Sequence, residues 1–393
     1  MRARGRSQGG PVAALWATYF AYGGFWGTFV VIFADLLRDR ELTLAAISLR
    51  FSALSIVAIG VMTFIAPRME PLNRRLTVGG GLAVQAVGSA AMLVPTDAML
   101  WVAFATIGVG TGAVDVFVNA AGQQIEARSG RSVLQWVHAA YGAGGAVFAL
   151  IAGVLRTAGV PYELVIAVSV GLQAVVALAV LASNALRDVP GGPSGGRVSL
   201  AIFTRRRGLI APAVVVMFAF LIEGSMDVWS VIYLRESLGS SIMVAATGFA
   251  AFALATTVGR AFAARVLFAL GYRRTVLVSA LGSLAFATVA IVSSSAVVVG
   301  IAFLGLGFAL ASAAPAAFGM AEGAGEDAGL AVGALTTVGY TGFVVGPPIM
   351  GWLADNVGLR QSMAALVVAT VGMALAGSSA RSGSELRSGP TGS

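Results

Sequence analysis

Two carboxylates, Glu223 and Asp227, stand four residues apart in a run from Leu209 to Leu234 that is otherwise almost wholly apolar. A helix needs about 20 such residues to cross the hydrocarbon core of a bilayer. A carboxylate at that depth costs roughly 2.5–3.5 kcal/mol on insertion scales, so it usually faces a protein interior or a water-filled cavity and acts on protons, ions or substrate. Spaced by four, the two share one helix face. Asp115 and Asn119 repeat the pattern in a second apolar segment, a protonatable group one turn from a hydrogen-bonding neighbour. His138, the single histidine, begins a third segment, and imidazole is the side chain that changes charge near neutral pH. Glu223 is the foremost candidate for proton exchange, followed by Asp115, Asp227 and His138. Each also has a plainer reading, since any buried carboxyl needs a partner and a histidine at a helix entrance is commonly a satisfied interfacial residue. Arg50, inside the apolar span near 43–66, is a cation that Asp227 could meet in an outer gate.

Aromatic residues crowd the first apolar segment. Tyr19, Tyr22, Trp26, Phe29 and Phe33 recur at steps of three and four and so form one helical face. Such a face can stack on a flat or amphipathic substrate, or simply pack against helices and lipid. Trp229, Tyr233 and Tyr340 extend the same reading to the second half of the chain, with Asn119 as a polar member of the cavity.

The elements that position these residues follow from composition. The chain has 393 residues, 58% of them hydrophobic and 11% charged, with a mean hydropathy of +0.89. Soluble domains carry about 25% charged residues, so an all-α polytopic membrane protein is expected. There is no cysteine, which excludes disulfides and thiol catalysis. The glycine runs lie inside apolar helices without the lysine of a phosphate loop, and they serve close helix approach. No nucleophile–base pair or metal-ligand cluster points to an enzyme, and no cofactor is implied. The net charge of +8 resides in loop arginines, where membrane topology rather than nucleic acid explains it.

Hydropathy predicts twelve spans, near 12–36, 43–66, 76–95, 98–121, 133–156, 161–183, 209–235, 242–264, 274–294, 296–319, 329–354 and 360–377. With a cytoplasmic N-terminus, nineteen arginines fall on the inner side and five on the outer, so both termini are expected in the cytoplasm. Residues 1–183 form one six-helix bundle and 209–378 another. A Gly/Pro-rich cytoplasmic linker, 184–208, joins them, and 379–393 is a disordered tail. The halves repeat: Arg235 lies 197 residues after Arg38, and the same shift maps Arg68 onto Arg265, Gly108 onto Gly305 and Gly142 onto Gly339. Pro315 and Pro347-Pro348 are expected to break or bend their helices.

Two six-helix halves joined by a basic loop resemble the major facilitator superfamily. A narrower resemblance is to a bacterial branch, the YbjJ-like proteins, related to fucose–proton symporters. It rests on Gly108-x-Gly110-x-Gly112-x-x-Asp115-x-x-x-Asn119, Glu126, His138 and Gly142-x-Gly144-Gly145. Glu223-Gly224-Ser225-Met226, Trp229-Ser230, Tyr233-Leu234-Arg235 and Gly339-Tyr340-x-Gly342 with Gly346-Pro347-Pro348 carry it through the second half. The resemblance implies a monomeric transporter in the bacterial cytoplasmic membrane, binding a small molecule between its halves. It also implies gating loops carrying Arg68 and Arg265. The chain departs from its relatives at Val228, which stands where they place an aspartate before Trp229; Asp227 precedes it, about 100° around the helix. The expectation is a proton-coupled secondary transporter working by alternating access, efflux slightly ahead of sugar or metabolite uptake. A non-transporting membrane sensor or assembly partner is the alternative from another class.

Overall fold

The structure, a computed structural model, describes residues 9–69, 71–130, 132–189, 200–323 and 325–380. The middle of the expected linker, 190–199, and the tail 381–393 lie outside these residues. The described residues contain helices and no strand.

Among the described residues, ten helices are long and apolar enough to cross a membrane. One of them, Ile242–Val292, is interrupted at Gly271, whose φ of 72° and ψ of 165° are not helical. It therefore counts as two. Arg74–Ala91, the most polar of the long helices, makes the twelfth. We number them α1 (Gly9–Asp39), α2 (Leu44–Met69), α3 (Arg74–Ala91), α4 (Asp97–Ser129), α5 (Leu134–Thr157), α6 (Tyr162–Ala182) and α7 (Arg207–Ser237). The rest are α8 (242–270), α9 (272–292), α10 (Ala296–Ala321), α11 (Ala328–Val357) and α12 (Leu359–Ser379).

Local chemistry sets the boundaries. Thr96, Ser241 and Ser295 cap α4, α8 and α10 by accepting from backbone N–H groups three residues on. Gly130, left-handed at φ 65°, ends α4. Helix α10 breaks at Ala311–Ser312, one turn before Pro315, where proline lacks the N–H that would bond Ala311. Pro347 and Pro348 instead sit inside the unbroken α11. Arg74 is fully buried at the start of α3, its guanidinium 5.6 Å from the centre of the Phe117 ring.

Packing divides the chain into two compact units. The first comprises Met1–Thr28, Ala53–Phe148 and Glu163–Gly195; the second comprises Phe29–Ser52, Ala149–Tyr162 and Gly196–Ser393. The division cuts through α1, α2 and α5, so the ends of these helices far from the N-terminus pack with the second half of the sequence. Within the first unit α1 and α5 approach to backbone contact. A Cβ on Gly23 or Gly27 would overlap the carbonyl of Tyr141 or Gly145. That approach brings the tyrosines of α1 beside the first turns of α5.

Candidate functional site

Three side-chain clusters result. The first, in the first unit, joins Tyr19 of α1, Asp115 and Asn119 of α4 and His138 of α5. The Tyr19 hydroxyl donates to Asp115 Oδ1 at 2.8 Å. Asn119 Nδ2 donates to Tyr19 Oη at 2.9 Å, to the Asp115 carbonyl at 2.7 Å and to Asp115 Oδ1 at 3.2 Å. With its amide nitrogen committed there, Asn119 turns Oδ1 to His138, whose Nε2 lies 3.0 Å away and must act as donor. The Tyr19 and His138 rings also meet edge to face at 5.3 Å. Tyr22 and Tyr141 stand beside them, 5.3 Å apart. Tyr19 is buried, Asp115 and Asn119 are half-buried and His138 is exposed, so the network runs from the interior to an accessible edge.

The second cluster lies in the second unit. Arg260 of α8 places Nη2 2.7 Å from both carboxylate oxygens of Glu223 in α7. Asp227, one turn further along α7, is half-buried and has Glu223 and Arg260 as its charged neighbours. Among the described residues no ion pair or hydrogen bond reaches its carboxylate. Phe220 extends the same face of α7, its ring 5.9 Å from Tyr340 and 5.1 Å from Phe343 of α11.

The third cluster gathers charges at the far end of the second unit. Asp35 of α1 receives Arg156 Nε of α5 on one oxygen at 2.8 Å and Arg235 Nη2 of α7 on the other at 3.1 Å. Beside it Arg38 binds Glu236 at 2.6 Å, and Tyr162 donates to Asp39 at 2.6 Å.

Several sequence expectations are redirected. Arg260, counted with the inner arginines although it falls in the predicted span 242–264, lies inside α8 against Glu223. Arg50 does not meet Asp227; its Nη1 donates 2.7 Å to the carbonyl of Ala46, one turn back. Trp229 and Tyr233 are fully buried and so do not line accessible space. Trp229 packs on Phe33, and the Tyr233 hydroxyl donates to the Ala290 carbonyl at 2.8 Å. Phe29 is likewise buried, against Phe33 and Phe51. Trp26 and Tyr340 keep partial exposure. Arg68 donates to the Phe64 carbonyl and Arg265 lies over the Phe262 ring, each an exposed residue contacting its own helix.

Arg260 and Asp35 were missed as site residues. Both carried a signal, a charge inside an apolar span that must find a partner. The partner's identity is set by helix packing, which no local pattern encodes.

Among the described residues, twelve long helices, most of them apolar and some carrying buried, paired charges, define a polytopic membrane protein. The sequence profile of the Major Facilitator Superfamily matches residues 15–320 and 213–387, and the chain belongs to this family. Its class of function is therefore the transport of small molecules across a membrane. It is 31% identical over 269 residues to an uncharacterized MFS-type transporter of Yersinia pestis, covering 67% of this chain and 68% of that one. It is 27% identical over 314 residues to the membrane protein MosC of Rhizobium meliloti, covering 77% and 73%. Among solved structures, a bacterial homolog of the human lysosomal transporter Spinster superposes with a TM-score of 0.79 at 14% identity, covering 99% of this chain and 100% of that one. The nucleoside transporter NupG gives 0.72 at 14%, covering 94% and 98%. At such identities these two structures speak for the fold.

Proposed function

We propose that the protein is a proton-coupled secondary transporter that moves a small organic molecule across the bacterial cytoplasmic membrane by alternating access, with efflux ahead of uptake. The observation that carries this reading is the arrangement of Glu223, Arg260 and Asp227. Two carboxylates and one guanidinium leave one negative charge when all three are ionised. Glu223 and Arg260 neutralise each other, so the odd charge falls on Asp227. A proton cancels that charge, and so does a cationic group on a substrate. A carboxylate that takes one or the other, never both, exchanges them, and exchange of an inward proton for an outward substrate is efflux. The aromatic rings of Phe220, Tyr340 and Phe343 supply the apolar and cation-attracting faces an amphipathic cation needs.

Uptake of a sugar or similar metabolite is the second reading. It is favoured by the Tyr19–Asp115–Asn119–His138 network, whose donors and acceptors beside tyrosine rings suit a hydroxylated substrate, and by the resemblance to the branch related to fucose–proton symporters.

The test is proton movement in proteoliposomes with a pH-sensitive dye inside, challenged with amphipathic cations and with sugars. Efflux predicts a pH change driven by cations and abolished by Asp227→Asn. A response to sugars alone, lost in Asp115→Asn, would replace efflux with uptake. A cation response unchanged in Asp227→Asn would remove this carboxylate from the coupling.

A further inference from the structure

Glu126, in the last turn of α4, has no part in either reading, yet its carboxylate reaches across to α5. Its Oε1 accepts from the backbone N–H groups of Val133 at 2.5 Å and Leu134 at 3.0 Å. These are two of the donors that the start of a helix leaves without an internal partner. The positive end of the helix dipole favours a carboxylate there, and bonds to an ionised acceptor are stronger than neutral ones. A side chain from the preceding helix thus caps α5.

The spacing on both helices ties this cap to the first cluster. Asn119 lies seven residues, about two turns, before Glu126 and so on the same face of α4. His138 lies one turn after Leu134 on α5. Between these two levels Gly122 of α4 faces the Leu134 side chain, which an added Cβ would overlap. The two helices are therefore fastened at Glu126, packed at Gly122 and hydrogen-bonded at Asn119, whose Oδ1 is 3.0 Å from His138 Nε2.

We propose that Glu126 is a positioning residue for His138. By holding the first turn of α5 against α4, its carboxylate keeps the imidazole on Asn119. The bearing on transport rests on the uptake reading, in which the Tyr19–Asp115–Asn119–His138 network meets the substrate. The physical basis is an inequality between the two partners. Asn119 is not free to follow a displaced histidine, because its Nδ2 is committed to Tyr19 and to Asp115. The histidine has to be brought to it. The tolerance is small, since a separation about 0.6 Å longer no longer makes a hydrogen bond. Glu126 grips the backbone one turn away, so it sets that separation without touching the imidazole.

The single histidine makes the test direct. The full chain, labelled with 15N at histidine alone and reconstituted in lipid, gives one pair of ring-nitrogen resonances. Their positions report which nitrogen carries the proton and whether it is hydrogen-bonded. Asn119→Ala supplies the reference for a histidine without its acceptor. Glu126→Ala should move the His138 resonances at least halfway to that reference. Glu126→Gln, which keeps an acceptor oxygen and loses only the charge, should move them by a smaller, measurable fraction. A Glu126→Ala variant with a lower unfolding midpoint and His138 resonances in place would overturn the proposal, leaving Glu126 a cap and nothing more. Should Glu126→Ala fail to fold, Glu126→Gln decides alone: a shift toward the reference sustains the proposal and none overturns it. Sugar-driven pH change in proteoliposomes tests the uptake reading separately. The half-saturating sugar concentration should rise about fivefold in Glu126→Ala, the scale of one lost hydrogen bond. No sugar response in wild type, or unchanged half-saturation in a variant whose resonances have moved, would overturn the uptake reading and leave the positioning standing.

Discussion

At the scale of single residues, charges inside spans carry the argument, and their pairing is more informative than their presence. Glu223 stands out in the sequence as the foremost of two acids in one apolar span. In the structure it is half of an ion pair, and the carboxylate outside that pair is Asp227. The two arrangements predict different mutant behaviour. Removing Glu223 leaves Arg260 with Asp227 one turn away as a substitute partner. Removing Arg260 leaves two neighbouring carboxylates with no cation between them. Arg260→Gln should therefore lower the thermal unfolding midpoint in detergent more than Glu223→Gln does. The cost should be about 1–3 kcal/mol, between a solvated pair and a fully buried one, because the Arg260 side chain is 36% exposed and Glu223 16%. The Glu223→Gln/Arg260→Gln double variant should recover part of the loss. Simple addition of the two single losses would show that the groups are not coupled. Asp115, Asn119, Tyr19 and His138 were each legible as single candidates. Their union into one hydrogen-bonded chain was not, because it depends on how α1, α4 and α5 meet.

At the scale of elements, the apolar periodicity marked nearly every helix, since lipid demands long apolar segments with all backbone groups bonded internally. What it could not mark was depth of burial on each face. Trp229 and Tyr233 belong to a helix that is buried almost all round at that end, so an aromatic stripe there is packing rather than cavity lining. Phe29 fails as a cavity residue for the same reason. The glycines were legible as close-approach positions, and α1 against α5 shows what they do. Gly23 is a strict test, because in a helix alanine is favoured over glycine by about 1 kcal/mol. At a site with open space the exchange should stabilise. Gly80 in α3 is such a site, with no atom within 4 Å of an added Cβ. At Gly23 the new methyl would overlap the Tyr141 carbonyl and push α5 away. Gly23→Ala should accordingly lose about 1–3 kcal/mol, the scale of overpacking, and displace Tyr141 and His138 relative to Tyr19. Thermal unfolding of Gly23→Ala beside Gly80→Ala reads the sign directly. Equal midpoints would mean that α1 and α5 are less tightly apposed than the structure has them.

At the scale of the whole molecule, the 197-residue shift read from the sequence reappears in packing. Gly144 of α5 abuts the carbonyl of Phe20 in α1, and Gly342 of α11 abuts the carbonyl of Met217 in α7; Met217 is Phe20 shifted by 197, while Gly342 is the counterpart of Gly145, so the contact recurs with its glycine one residue along the helix. The halves thus use one helix contact twice while diverging in charge: Asp115 has Ser312 as its counterpart, and only the second half carries the Glu223–Arg260 pair. Membrane orientation is the remaining property that belongs to the molecule as a whole. Leaving Arg260 out of the count, since it lies inside α8, reduces the inner arginines from nineteen to eighteen against five outer ones, so the positive-inside bias keeps its sign. On that bias we propose that the far ends of α1, α5 and α7, with the Asp35 cluster, lie outside the cell, and the segment before α7 in the cytoplasm. Single cysteines in this cysteine-free chain decide the matter. Ala158→Cys should react with a membrane-impermeant maleimide applied to intact cells, whereas Ala201→Cys, exposed before α7, should react only after permeabilisation. The opposite labelling pattern would invert the molecule and put the Asp35 cluster on the cytoplasmic side. An inward proton would then meet the Asp35 cluster after passing Asp227 rather than before it.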